Sequence, residues 1–123
     1  MKLREITLSS GKKIMCGKDK EQNEKLVKEF MGKDNFIFHT LASGSPFCVI
    51  LDEKPERKDK RETATICARY SQDWRDNKSN VQVHYFKGKD VYKDKKMKTG
   101  TFGVQGLSVI DVKKKWIEEL LKK

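Results

Sequence analysis

The sequence predicts an α+β fold: a single compact domain over residues 1–123, built on a mixed, mainly antiparallel sheet with about three helices. Three observations carry this expectation. Short segments alternate apolar and polar residues between turn-forming clusters, stretches of helical periodicity interrupt them, and 123 residues suffice for one core but not two. Residues 3–8 and 13–16 alternate around Ser9-Ser10-Gly11-Lys12, the pattern of a β-hairpin that Gly17 ends. From about residue 20, Leu26, Val27, Phe30 and Met31 share one helical stripe, with Asp19 placed to cap its start and Gly32 to stop it. Residues 36–40 and 47–51 read as two central strands joined by the small-residue turn 42–46. A charged loop, 52–61, leads into a second helix from about 60 to 74, whose apolar face comprises Thr63, Ile66, Cys67, Tyr70 and Trp74. Residues 76–80 form a turn, 81–86 a strongly alternating strand, and 101–104 with 107–112 a last hairpin around Gln105-Gly106. Residues 113–123 form an amphipathic helix whose Trp116, Ile117, Leu120 and Leu121 dock on the sheet.

Composition narrows the function. With 28 Lys+Arg against 18 Asp+Glu the formal net charge is +10, which points to a polyanionic partner. No stretch approaches the ~20 apolar residues of a membrane span, and the N-terminus lacks the apolar region of a signal peptide, so a soluble cytoplasmic protein without a membrane role is expected. Cys16, Cys48 and Cys67 are odd in number, far apart and set among apolar or small neighbours. They read as buried free thiols, with neither a disulfide framework nor a zinc site indicated. There is no P-loop, dinucleotide fingerprint, HExxH or nucleophile elbow, so no enzymatic activity, cofactor or metal is expected.

The basic residues are the stronger lead. Residues 87–98 hold six lysines against two aspartates, a net +4, with one tyrosine interleaved. Lys87, Lys89, Lys93, Lys95 and Lys96 are candidates to follow a phosphate backbone, and Tyr92 to stack on a base. By contrast, residues 52–61 hold five basic residues against four acids, a net +1, and read as a mixed, solvated loop. Lys18, Lys20 and Asn23 at a helix N-terminus combine positive charge with free amides, an anion site. Gly44 and Ser45 in a strand-to-strand turn offer backbone N–H groups and a hydroxyl to a phosphate or sugar, or simply satisfy a tight turn. Arg69, Ser71 and Arg75 at the end of the second helix suit a phosphate clamp, with a salt bridge to Asp73 or Glu24 as the ordinary alternative.

Several blocks in order resemble the RNA-binding domain of the NFACT proteins, ribosome-associated quality-control factors, most strongly over residues 16–106. Gly17-Lys18-Asp19-Lys20-Glu21-Gln22-Asn23-Glu24 is similar to the family's opening block, and Asp34-Asn35-Phe36-Ile37-Phe38-His39 to its D-x-W-F-H strand. Ser43-Gly44-Ser45-Pro46 followed by Phe47-Cys48-Val49-Ile50 resembles its P-G-S-H turn and strand, with Ser43 and Pro46 departing from that pattern. Thr63-Ala64-Thr65-Ile66-Cys67-Ala68-Arg69-Tyr70-Ser71 resembles its A-x-x-A-A-x-[YF]-S helix, and Val81-Gln82-Val83-His84-Tyr85 with the lysines after it the next strand and basic loop. The resemblance implies a standalone, non-catalytic module that binds tRNA or rRNA through backbone and shape, with His39 and Ser43 joining the candidate contacts. It also implies a ribosome or an NFACT-related chain as partner. The alternatives left open are a protein-interaction module docking on an acidic or ribosomal partner, and a DNA-binding domain.

Overall fold

The computed structural model describes residues 3–42 and 44–123. A hairpin opens the chain, β1 (Arg4–Thr7) and β2 (Lys13–Cys16), closed by Leu8 N–H donating to Lys12 O at 2.7 Å and by Gly11, whose φ of +94° an L side chain rarely adopts. Helix α1 (Lys20–Phe30) starts as its sequence indicates: the Asp19 carboxylate accepts the Gln22 N–H at 2.8 Å. Strands β3 (Phe36–His39) and β4 (Cys48–Ile50) follow, then α2 (Arg57–Arg69), α3 (Gln72–Asn77) and β5 (Val81–Lys87). A 3-10 turn (Gly88–Asp90), β6 (Val91–Tyr92), β7 (Gly103–Val104), β8 (Ser108–Val112) and α4 (Lys114–Leu121) complete the chain.

The main sheet runs β1-β2-β4-β3-β5-β8, and every neighbouring pair is antiparallel, so no parallel ladder is present among the described residues. Side chains alternate across it and feed two cores. Phe38, Cys48, Ile50, Val81, Val83 and Val112 meet Ile66, Cys67, Ala68 and Trp74 of α2 and α3 and Ile117 of α4. On the other face Ile37, Val49 and Phe86 meet Leu26 and Val27 of α1, and Val91 of β6. Burial on both faces is why residues 47–50 are apolar without interruption.

The structure departs from the sequence reading in four places. The second helix begins at Arg57, inside the segment read as loop, and breaks after Arg69, giving four α-helices among the described residues where about three were expected. The break has a local cause: Ser71 Oγ donates to Ala68 O at 2.6 Å, closing α2, and accepts Trp74 N–H at 3.1 Å, opening α3. The expected last hairpin does not form, because β7 pairs with β6 while β8 crosses to pair with β5. Finally, Cys16 and Cys48 are joined in a disulfide, correcting the expectation of three free thiols. They are register partners on β2 and β4, their Cα atoms 4.2 Å apart, a proximity created by pairing of strands distant in sequence. Cys67 is free and buried, and burial pushes its thiol up to about 12, which leaves it protonated.

Candidate nucleic-acid interface

A strongly cationic hollow lies at the C-terminal end of α2. Five cations line this cleft of about 350 Å3: Arg4 from β1, Lys18 before α1, Arg69 at the end of α2, Arg75 in α3 and Lys78 after it. Among the described residues no carboxylate lines it. Aromatic rings hold three of these charges in place. The guanidinium carbons of Arg4 and Arg69 lie 3.7 Å and 4.3 Å from the centroid of the Tyr70 ring, and Lys78 Nζ lies 5.1 Å from that of Trp74. Arg75 is fixed by the backbone carbonyls that precede α3, its Nη2 donating to Tyr70 O at 3.0 Å and its Nε to Ser71 O at 3.4 Å.

Lys78 carries a further mark. Its φ of +49° is the left-handed conformation that ends α3 with a hydrogen bond from its N–H to Trp74 O. Glycine favours this position, and a lysine there costs about 1 kcal/mol.

A second hollow of about 420 Å3 adjoins the first, sharing Lys18 and Gly44, and adds Lys20, His39, Ser45 and the segment 99–101. His39 stacks on Phe47 with ring centroids 3.8 Å apart, and its Nδ1 donates to Pro46 O at 3.2 Å. A carbonyl can only accept, so Nδ1 carries the hydrogen. Burial drives the imidazole down to about 4, so it is neutral near pH 7 and Nε2 is a hydrogen-bond acceptor.

Several sequence candidates are committed to the scaffold. Asn23 is buried, its Nδ2 donating to Ser45 O at 3.3 Å and its Oδ1 accepting Phe47 N–H at 3.1 Å, so it ties α1 to the β3–β4 loop. The α1 N-terminus is not an open anion site, because the Asp19 carboxylate already caps it and the Gln22 side chain accepts Lys18 N–H at 2.9 Å. Ser45 is buried with Oγ accepting Gln72 N–H at 3.4 Å, and Ser71 is the buried cap of α3. Gly44 stands exposed at φ +81° between the two hollows, while Ser43 lies outside the described residues.

The lysine-rich segment is spread out. Lys93 is mostly buried, its Nζ donating to Glu24 Oε1 at 3.0 Å and to Lys98 O and Thr101 O, both at 2.7 Å. Glu24 also accepts the Gly100 N–H at 2.7 Å and faces Lys28 at 3.0 Å. Burial alone would raise this carboxyl, but the Gly100 amide, Lys28 and Lys93 outweigh it and bring it down to about 2. Lys89 pairs with Asp34 at 3.5 Å, Lys87 Nζ lies 5.4 Å from the Phe36 centroid, and the Tyr92 ring packs against the Gly103 backbone. Lys95 and Lys96 stand exposed without an ion pair among the described residues, outside both hollows. Arg4, Tyr70, Trp74 and Lys78 carried no sequence signal of a site, apart from the adjacency of Arg69 and Tyr70.

A family model described as the NFACT protein RNA binding domain matches residues 2–106. The chain belongs to that family. Over 106 residues it is 26% identical to the archaeal Rqc2 homolog aRqcH of Methanocaldococcus jannaschii, covering 81% of this chain and 16% of that one. It is also 33% identical over 92 residues to the Rqc2 homolog RqcH of Bacillus subtilis, covering 75% of this chain and 16% of the relative. The NFACT domain therefore spans about one-sixth of the length of these curated relatives. Its fold is shared with the C-terminal part of a fibronectin/fibrinogen-binding protein from Streptococcus suis, at a TM-score of 0.81 and 23% identity, covering 92% of this chain and 45% of that structure. Among the described residues no helix is long and apolar enough to cross a membrane, and no group of His, Cys, Asp or Glu is arranged to hold a metal ion.

Proposed function

We propose that this NFACT domain is a non-catalytic module that binds structured RNA, tRNA or rRNA, through the phosphate backbone and overall shape. Its setting is cytoplasmic translation and ribosome-associated quality control, with the ribosome or an NFACT-related chain as partner. The observation that carries the reading is the carboxylate-free cleft in which Arg4, Lys18, Arg69, Arg75 and Lys78 converge. Guanidiniums preset on Tyr70 offer planar donors to phosphate oxygens with less ordering cost than free side chains. The two rings that line the cleft, Tyr70 and Trp74, are already engaged by Arg4, Arg69 and Lys78, which favours contacts to the backbone over stacking on bases. The adjoining hollow adds the neutral His39 Nε2, an acceptor matched to a donor such as a ribose 2′-OH. Lys95 and Lys96 contribute long-range attraction.

Titration of the domain with tRNA across a salt series tests this. Binding in the micromolar range or tighter is expected at low salt, with log K falling against log salt at a slope of about −4 for five neutralised phosphates. Absence of binding to tRNA and rRNA fragments at low salt would overturn the reading.

A further inference from the structure

A second basic groove lies at the opposite end of α2 from the RNA cleft, roughly 18 Å away by helix rise. It has a volume of about 870 Å3 and runs between the first turns of α2 and the strands β5 and β8. Arg57, Lys58, Lys60 and Arg61 line one wall, with Tyr85 and Ile110 on the sheet side. The segment that supplies these cations is nearly neutral in sequence, but folding separates its charges. Asp59 turns inward, where it is buried and held by Ser10 Oγ at 2.6 Å, Lys12 Nζ at 3.2 Å and the Glu56 N–H at 2.9 Å. The cations remain outside. Lys60 Nζ lies 4.3 Å from the Phe36 centroid and the Arg61 guanidinium 3.8 Å from that of Trp116, so both are held by rings. Among the described residues no carboxylate lines the groove; the nearby Glu56 is only 3.8 Å from Lys58 Nζ at an exposed position, and Asp111 pairs with Lys113.

Beside this wall the sheet ends. β8 pairs only with β5 among the described residues, so its outer edge is open, and Leu107 and Val109 there are 49% and 47% exposed. An open edge of this kind is a template for a further strand. We propose that the groove and the β8 edge together form a docking surface for a partner protein, which contributes an extended acidic segment with interspersed apolar residues. The segment adds to β8 through main-chain hydrogen bonds, places alternate carboxylates along Arg57, Lys58, Lys60 and Arg61, and covers Leu107 and Val109 with its apolar residues. Two features distinguish this surface from the RNA cleft: a strand edge, whose ladder a nucleic acid cannot extend, and exposed apolar side chains, which a phosphate backbone does not bury. RNA and acidic protein therefore occupy opposite ends of one helix.

The test uses the whole chain and a labelled peptide of about nine residues alternating Asp or Glu with Val or Ile, read by anisotropy and by amide chemical shifts. Saturable micromolar binding is expected, with shifts confined to residues 57–61, Tyr85 and 107–112. Arg57→Glu with Lys58→Glu, both exposed, should weaken it about tenfold or more. Val109→Lys, a charge on the open edge, should weaken it comparably, and Lys78→Glu should leave it unchanged. No saturable binding up to about 1 mM peptide would overturn the proposal. So would equal binding of the Asn/Gln version of the peptide, or groove shifts produced by a single-stranded RNA and not by the peptide. None of these outcomes bears on RNA binding at the other end of α2.

Discussion

Residues 87–98 and residues 52–61 stand in opposite relation to their own composition. The first carries a net +4 in sequence, yet Lys93 is consumed by Glu24 and two carbonyls, and Lys89 is paired with Asp34. The second carries +1, yet it buries an acid and leaves four cations along one groove. The charge a segment presents is what remains after the scaffold has taken its share. For a basic domain of this size, the scaffold's share decides which lysines can meet a phosphate.

The comparison is sharpened most by removing the buried acid of the second region. Asp59→Ala leaves Ser10 Oγ and the Glu56 N–H without their acceptor and strips the capping box from the start of α2, and a loss of about 3 kcal/mol in denaturant unfolding is expected. Next comes the consumed lysine of the first region. Lys93→Ala should cost about 2 kcal/mol, against less than about 0.5 kcal/mol for Lys95→Ala, although the two sit in the same run of sequence. A pH dependence accompanies it. Glu24 titrates at about 2 when folded against an ordinary 4.5, so the unfolded chain binds the proton first and stability drains as pH falls from 4.5 towards 2. Lys93→Ala should shrink that acid loss.

Smaller effects separate stability from binding. Lys78→Gly relieves a left-handed lysine and should stabilise the domain by about 1 kcal/mol while lowering RNA affinity several-fold; a variant that gained in both would remove Lys78 from the interface. His39 has a folded value of about 4 against 6.5 unfolded, so its contribution is complete above 6.5 and lost as pH falls from 6.5 to 4. His39→Phe keeps a ring against Phe47 and should flatten the stability profile in that window alone, leaving the loss below pH 4.5 in place.

What was legible in the sequence was what neighbouring residues decide. The first hairpin follows from Ser9-Ser10-Gly11-Lys12, the start of α1 from Asp19, and β5 from its alternation, all consequences of local turn chemistry and periodicity. Apart from the break between α2 and α3, which Ser71 sets locally, the misreadings involve partners far along the chain. β8 reaches β5 past β6 and β7, Cys16 meets Cys48 through a strand order that hairpin reasoning does not yield, and Asp59 is removed from the surface by Ser10 and Lys12. The same holds for the candidate interface. Lys18, Arg69 and Arg75 fall in the cleft and Lys20, His39 and Gly44 beside it, because cationic helix ends and small-residue turns are local features. Arg4 and Lys78 reach it only through the fold, and Asn23, Ser45 and Ser71 proved to be the polar ties that hold its loops.

Whether RNA meets the cleft at the end of α2 or the lysine run is decided most directly by the salt slope of tRNA binding for two charge-reversed proteins. Arg4→Glu, Arg69→Glu and Lys78→Glu together should lower affinity about a hundredfold and flatten the slope by about 2.5, because three phosphate contacts are lost. Lys95→Glu with Lys96→Glu should lower it only a few-fold and leave the slope nearly unchanged. If instead the lysine-run protein lost the slope and the cleft protein kept it, the RNA would lie on residues 87–98, and the cleft would not be its site.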